Sequence, residues 1–238
     1  MTGLMLHRGT QLIGRQDLQV LHTPPATDTH KPVPHAEIVG VVIESLGLRR
    51  FGVVEDQYAV TPDGMRMFGV ITLDVEESGV RFAIGVRNSH DKTFSLALTV
   101  GYRVFVCDNL AFTGDFTPVT RKHTKSFDPV EVIDAAVGRM QRHFEPMKRR
   151  IEVWRNHTLP DDQARLVIYR AFIEGALPAP RRLARAVHDH YFSPQLEEFQ
   201  PRTAWSLSNA FTSAFKDLAP VSRFQATAKL GAFLGGLV

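Results

Sequence analysis

The sequence predicts an α+β fold: an antiparallel β-meander core backed by a long helix, with a helical C-terminal half. Three observations carry this. From Arg49 to Ala111 the apolar residues recur at the period of strands, in runs joined by connections too short for parallel crossovers. After Phe127 the period becomes helical. Pro160, Pro178, Pro180, Pro194, Pro201 and Pro220 then divide that half into short helices. Strands first and helices after is the α+β order. The expected organisation is a β-rich part over 1–127 and a helical part over 128–238, packed on it as one compact unit.

The elements follow in order. Residues 22–34, HTPPATDTHKPVP, are rich in Pro and Thr without periodicity and read as an extended loop. His35 to Leu46 sets Ile38, Val41, Val42 and Ser45 at helical spacing, with Gly47 as the expected stop. RRFGVVEDQYAVT, MRMFGVITLDVEE, VRFAIGVRN and FSLALTVGYRVFVCDN read as strands. Pro62-Asp63-Gly64 and Gly79 supply the turns between them. Asp128-Pro129-Val130-Glu131 is a helix start with an Asp cap and Pro at the first helical position. That helix should run toward His157, kinked or broken at Pro146. Further helices are expected near 160–174, 180–192, 202–217 and 220–234.

Composition narrows the function classes. At 238 residues, 44% apolar and 22% charged, the chain can bury a core, and wholesale disorder is excluded. Its single cysteine, Cys107, cannot form an internal disulfide, which fits a reducing compartment. No apolar run approaches the ~20 residues of a membrane span, and the N-terminus lacks a signal-like apolar stretch. The expectation is a soluble cytoplasmic protein with no membrane partner. Net charge is +3 but uneven. Residues 1–120 hold ten Lys/Arg against thirteen Asp/Glu; residues 121–238 hold eighteen against twelve. A basic C-terminal half suits a polyanionic partner, although solvated helix faces produce the same count.

The motifs point to loops rather than to a known catalytic design. Asn88-Ser89-His90-Asp91-Lys92 joins two strands and offers many hydrogen-bonding groups, with Lys92 suited to phosphate. His90 beside Asp91 could be an oriented base; the alternative is turn chemistry, with Asn, Ser and Asp bonding nearby backbone. Cys107 precedes Asp108, which works against a reactive thiolate and favours a buried structural cysteine. Arg121-Lys122-His123-Thr124-Lys125 is the sharpest basic cluster. Arg149 and Arg150 lie in MKRRIEVWR beside Trp154, a combination that suits single-stranded nucleic acid. His188 and His190 are spaced i, i+2, unlike a helical ligand pair, and no metal site is expected. Glycine-rich phosphate loops, dinucleotide fingerprints and GxSxG are absent, so no cofactor is expected. Trp205, Asn209 and Thr212 fall on one helix face and read as structural, with Trp205 anchoring the helix against the sheet and Asn209 bonding buried backbone or the 85–93 loop.

Three segments together resemble a phage- and plasmid-associated family of domains of unknown function, the phage/plasmid-like proteins. They are GVRNSHDKT at Gly85–Thr93, YRVFVCDN at Tyr102–Asn109 followed by RKHT at Arg121–Thr124, and RTAWSLSNAFT at Arg202–Thr212. The chain departs from the pattern at Ser208, where an aromatic residue is expected before Asn209. The resemblance implies a mobile-element setting, in which replication, recombination and anti-defence roles are common, and no established chemistry. A strand meander backed by a long helix with basic loops is also similar to the core of ring-forming single-strand annealing proteins, an analogy of fold with which a homo-oligomer is compatible.

The resulting expectation is a non-enzymatic protein binding single-stranded DNA through Asn88, His90, Lys92, Arg121, Lys122, His123, Lys125, Arg149 and Arg150. One alternative is a nucleic-acid-processing enzyme that gathers His90, Asp91, Lys92, Cys107, Asn109 and His123 at one edge of the sheet. Another is a protein-interaction module marked by an exposed apolar patch.

Overall fold

The computed structural model describes residues 11–77, 79–104, 110–112, 119–124, 126–218 and 220–236. Cys107, Asp108, Asn109 and Lys125 lie outside the described residues. The chain divides into two compact units, residues 1–102 with 116–144 and residues 103–115 with 145–238.

The first unit is built on an antiparallel meander. Its strands β1 (Gln11–Ile13), β2 (Val53–Val60), β3 (Arg66–Glu77), β4 (Val80–Ser89) and β5 (Leu96–Val104) lie side by side in chain order. The β2–β3 turn is closed by Gly64 at φ 67° and by Asp63, whose Oδ1 accepts from the Met65 N–H at 3.0 Å. Gly79, at φ 74°, closes the β3–β4 hairpin. Both glycines occupy conformations that a side chain would strain, as the turn chemistry predicts. Two short strands were not legible as periods. They are β1, on β2, and β7 (Val119–Arg121), which pairs Leu96 of β5 with Arg121. Strands β4 and β5 are buried along nearly their whole length.

Helix α1 (His35–Leu48) passes through Gly47, two residues beyond the expected end. Arg50 takes the left-handed conformation instead, at φ 61°. The Phe51 N–H then bonds Leu46 O and the Arg50 N–H bonds Gly47 O, the paired closure of a helix C-terminus. Helix α2 (Pro129–Asn156) starts where the cap signal places it: Asp128 Oδ1 accepts from the N–H groups of Val130 and Glu131. Ile133, Ala136, Val137, Met140 and Phe144 form its buried stripe in the first unit. The expected break at Pro146 does not occur, and α2 continues for ten residues past it. Phe144 and Met147 on either side are buried, and such packing outweighs the hydrogen bond that proline forgoes.

The second unit holds the rest of α2 with β6 (Leu110–Phe112), α3 (Asp161–Phe172), α4 (Leu183–Phe192), α5 (Ala204–Ala214) and α6 (Pro220–Gly235). Helix α5 is its centre, with every residue from Ala204 to Thr212 buried. The Thr203 side chain caps it by accepting from the Ser206 N–H. Arg202 closes the end of α4 by donating to the Tyr191 and Phe192 carbonyls, with its guanidinium over both rings. Among the described residues, no helix is long and apolar enough to cross a membrane.

Candidate functional site

The first unit brings four histidines together from distant parts of the chain: His30 from the 22–34 loop, His35 at the start of α1, His90 after β4 and His123 after β7. All four are buried. Asn88, at the end of β4, is completely buried and uses both amide hydrogens, one to Val33 O at 3.1 Å and one to His35 Nδ1 at 2.9 Å. His35 then donates from Nε2 to Gly64 O, at the β2–β3 turn. His90 donates from Nε2 to Val33 O at 2.9 Å and stacks on His35 with ring centres 4.0 Å apart. The Val33 N–H donates to His123 Nδ1. His30 lies between the carbonyls of His123 and His90, at 2.8 and 3.1 Å.

This network fixes protonation as well as geometry. Burial, and after it the neighbouring His90, pushes His35 down to about 4. Burial, reinforced by His30 and His90, pushes His123 down to about 4 as well. Burial also lowers His90. These three rings are therefore neutral near pH 7. Both nitrogens of His35, Nε2 of His90 and Nδ1 of His123 are spent on backbone and amide partners, and among the described residues no cluster of His, Cys, Asp or Glu is arranged to hold a metal ion.

Asp91 does not orient His90. Its carboxylate accepts from Arg66 Nε at 2.7 Å and from the Thr93 N–H at 3.0 Å. Partial burial opposes its charge, but the bonds from Thr93 and Arg66 prevail and hold it down to about 2. The proposed base and its expected partner thus face different neighbours. His90 and His123 do converge, through His30, but in a packed polar clamp. The expected thiol, Cys107, lies outside the described residues.

Beside the clamp opens a cleft of about 330 Å³, lined by Thr29, His30, Ser89, Lys92, Thr93, Phe94, Ser95, Lys122, His123 and Thr124. Lys92 is exposed and sits at φ 63°, so the turn after β4 holds it in a strained conformation. Lys122 is exposed, just after β7. No carboxylate lines the cleft among the described residues. His123 Nδ1 accepts from Val33, so its Nε2 carries the proton, and this buried donor has no partner among the described residues.

Of the residues predicted to bind, Lys92, Lys122 and His123 line this cleft, while Asn88 and His90 build the clamp behind it. Arg121 belongs to β7, the strand that delivers Lys122. Arg149 and Arg150 belong to the second unit. There Trp205, Asn209 and Thr212 are all buried, as a structural role requires. Asn209 donates to Trp205 O and Thr212 to the Ser208 and Asn209 carbonyls, all within α5. The Arg155 guanidinium lies 4.8 Å from the Trp205 ring. Sequence reasoning missed His30, His35, Thr29, Phe94 and Ser95 as parts of the site. The one signal for His30 and His35 was a pair of histidines in a Pro- and Thr-rich stretch, His30 two residues before Pro32 and His35 directly after Pro34.

The family model described as "Domain of unknown function (DUF932)" matches residues 27–230, most of the chain. The chain belongs to that family. No curated protein and no solved structure matches it. The DUF932 match takes in every residue lining the cleft and the whole of the histidine clamp. GVRNSHDKT and RKHT, from two of the three segments that resemble phage/plasmid-like proteins, supply six of the ten residues that line the cleft.

Proposed function

We propose that this DUF932 protein binds single-stranded nucleic acid, taking the phosphate backbone into the cleft of its first unit. One observation carries the reading: Lys92 and Lys122 meet five hydroxyl side chains, Thr29, Ser89, Thr93, Ser95 and Thr124, in a cleft with no carboxylate among the described residues. Cations beside hydroxyl donors are the chemistry of phosphate contact. Asn88 and His90 act behind it, by fixing the loop that carries Thr29 and His30. Arg149 and Arg150, which belong to the second unit, serve as further phosphate contacts in this reading. The motif resemblance supports a phage or plasmid setting, with a cytoplasmic role in recombination or replication.

Fluorescence anisotropy with labelled oligo(dT) across a salt series tests this. Each phosphate neutralised on a single strand contributes about −0.7 to the slope of log K against log salt. Lys92→Gln with Lys122→Gln should weaken binding and flatten that slope by about 1.4. Absence of binding to any single-stranded DNA or RNA at low salt would end the reading. In that event the second reading, a protein-interaction module, gains from the exposed side chains Leu166 and Tyr169, which share one face of α3, and Ile173, the residue that caps its C-terminus.

A further inference from the structure

We infer that the cleft accepts a whole nucleotide, with its base packed against the Phe94 ring while its phosphate meets Lys92 and Lys122. The inference rests on the phosphate-binding reading above and adds the part of the ligand that distinguishes a nucleic acid from other polyanions.

Among the described residues, Phe94 is the one fully apolar side chain in a lining otherwise made of lysine, histidine and hydroxyl groups. A bare phosphate or a polyphosphate chain has no use for it. The volume also exceeds that need, since about 330 Å³ falls within the range that holds small organic ligands, roughly 300–1,000 Å³. A flat base offers a π-face to an aromatic ring whatever its sequence, which is how single strands are held without base readout.

The ring is braced in advance. Ser89 Oγ donates to Phe94 O at 2.8 Å and accepts from the Phe94 N–H at 3.3 Å, which pins its backbone to the end of β4. The Arg87 guanidinium lies 5.3 Å from the ring centre, and the Phe68 ring stands tilted at 5.8 Å. Arg87 and Phe68 are directly paired across β3 and β4, so both supports come from the rigid part of the sheet. Arg87 is half-buried and has no carboxylate partner among the described residues. Phe94 itself is only partly buried, so some of the ring remains open. A side chain held this way loses little freedom when a base packs on it. Lys92 lies two residues away on the same turn, close enough for one nucleotide to reach both.

The test compares two labelled strands of about 15 nucleotides, oligo(dT) and an abasic strand with the same number of phosphates, titrated against the full chain at low salt. The wild-type protein should prefer oligo(dT) on the order of tenfold. Phe94→Leu keeps the apolar packing but removes the π-face; it should bring oligo(dT) down to the abasic level and so abolish the preference. Phe94→Tyr should keep the preference. Lys92→Gln with Lys122→Gln should weaken both strands together. Equal wild-type affinity for the two strands would overturn the base contact while leaving the phosphate reading intact. A Phe94→Leu loss shared equally by both strands would overturn it too. Failure of both strands to bind would take down the phosphate reading and this inference together. The wild-type comparison needs no variant to fold.

Discussion

Asn88 shows how a single side chain can organise a loop. Its two amide hydrogens join Val33 O and His35 Nδ1, which draws the extended 27–34 segment and the start of α1 onto the end of β4. An alanine there would leave His35 Nδ1 without its donor in a completely buried position. Asn88→Ala should therefore cost about 2 kcal/mol, read as a lower urea midpoint with unchanged slope. A stability equal to wild type would mean that the 27–34 loop is held elsewhere. Within α5, Asn209 and Thr212 spend their polar groups on the preceding turns, which makes a polar side chain tolerable in a wholly buried helix.

Among the elements, the β2–β3 pair depends on a glycine for packing rather than for a turn. Tyr58 and Gly69 face each other in register, and a Cβ at Gly69 would stand 2.8 Å from Tyr58 Cδ1. The Tyr58 ring is buried, and its hydroxyl donates to Asp56 Oδ2 at 2.7 Å, so it has nowhere to move. Gly69→Ala should destabilise by about 1–3 kcal/mol. Gly40 is exposed in the middle of α1, and a Cβ added there would meet nothing within 4 Å. Gly40→Ala should therefore stabilise by about 0.5–1 kcal/mol. Thermal melts of the two variants should shift in opposite directions; a shift of the same sign would contradict the packing assigned to Tyr58.

At the scale of the whole molecule, the histidine clamp makes stability depend on pH. His35 and His123 ordinarily titrate near 6.5 and are held down to about 4 by burial and by neighbouring histidines. The unfolded chain therefore binds more protons than the folded one between these values, and stability falls as pH falls through that window. It is fully present above about pH 6.5. Each ring accounts for up to about 3 kcal/mol across the window. Melting temperature should drop between about pH 6.5 and pH 4, and His35→Gln should shrink the drop. A melting temperature flat across that range would show that the clamp opens before the rings are protonated.

The local signals reached far. Alternation and turn residues located β2 to β5, and the Asp128 cap located the start of α2, because each depends on neighbours a few residues away. The basic loop at Lys122 and the polar loop at Lys92 were legible for the same reason. What the chain could not reveal locally is which of its loops meet. Phe94 was read as one more strand residue, and His30 as part of a shapeless linker. Only the pairing of β7 with β5 carries Lys122 and His123 to the turn that follows β4, across about thirty residues of sequence. Local propensity was overridden in two places: Arg50 rather than Gly47 took the left-handed position, and α2 ran through Pro146, where packed side chains flank it. Sequence by itself determined the elements and the chemistry each loop carries. The tertiary structure decided which of those chemistries share a cleft, since sheet register and the burial of polar groups are properties of the whole fold.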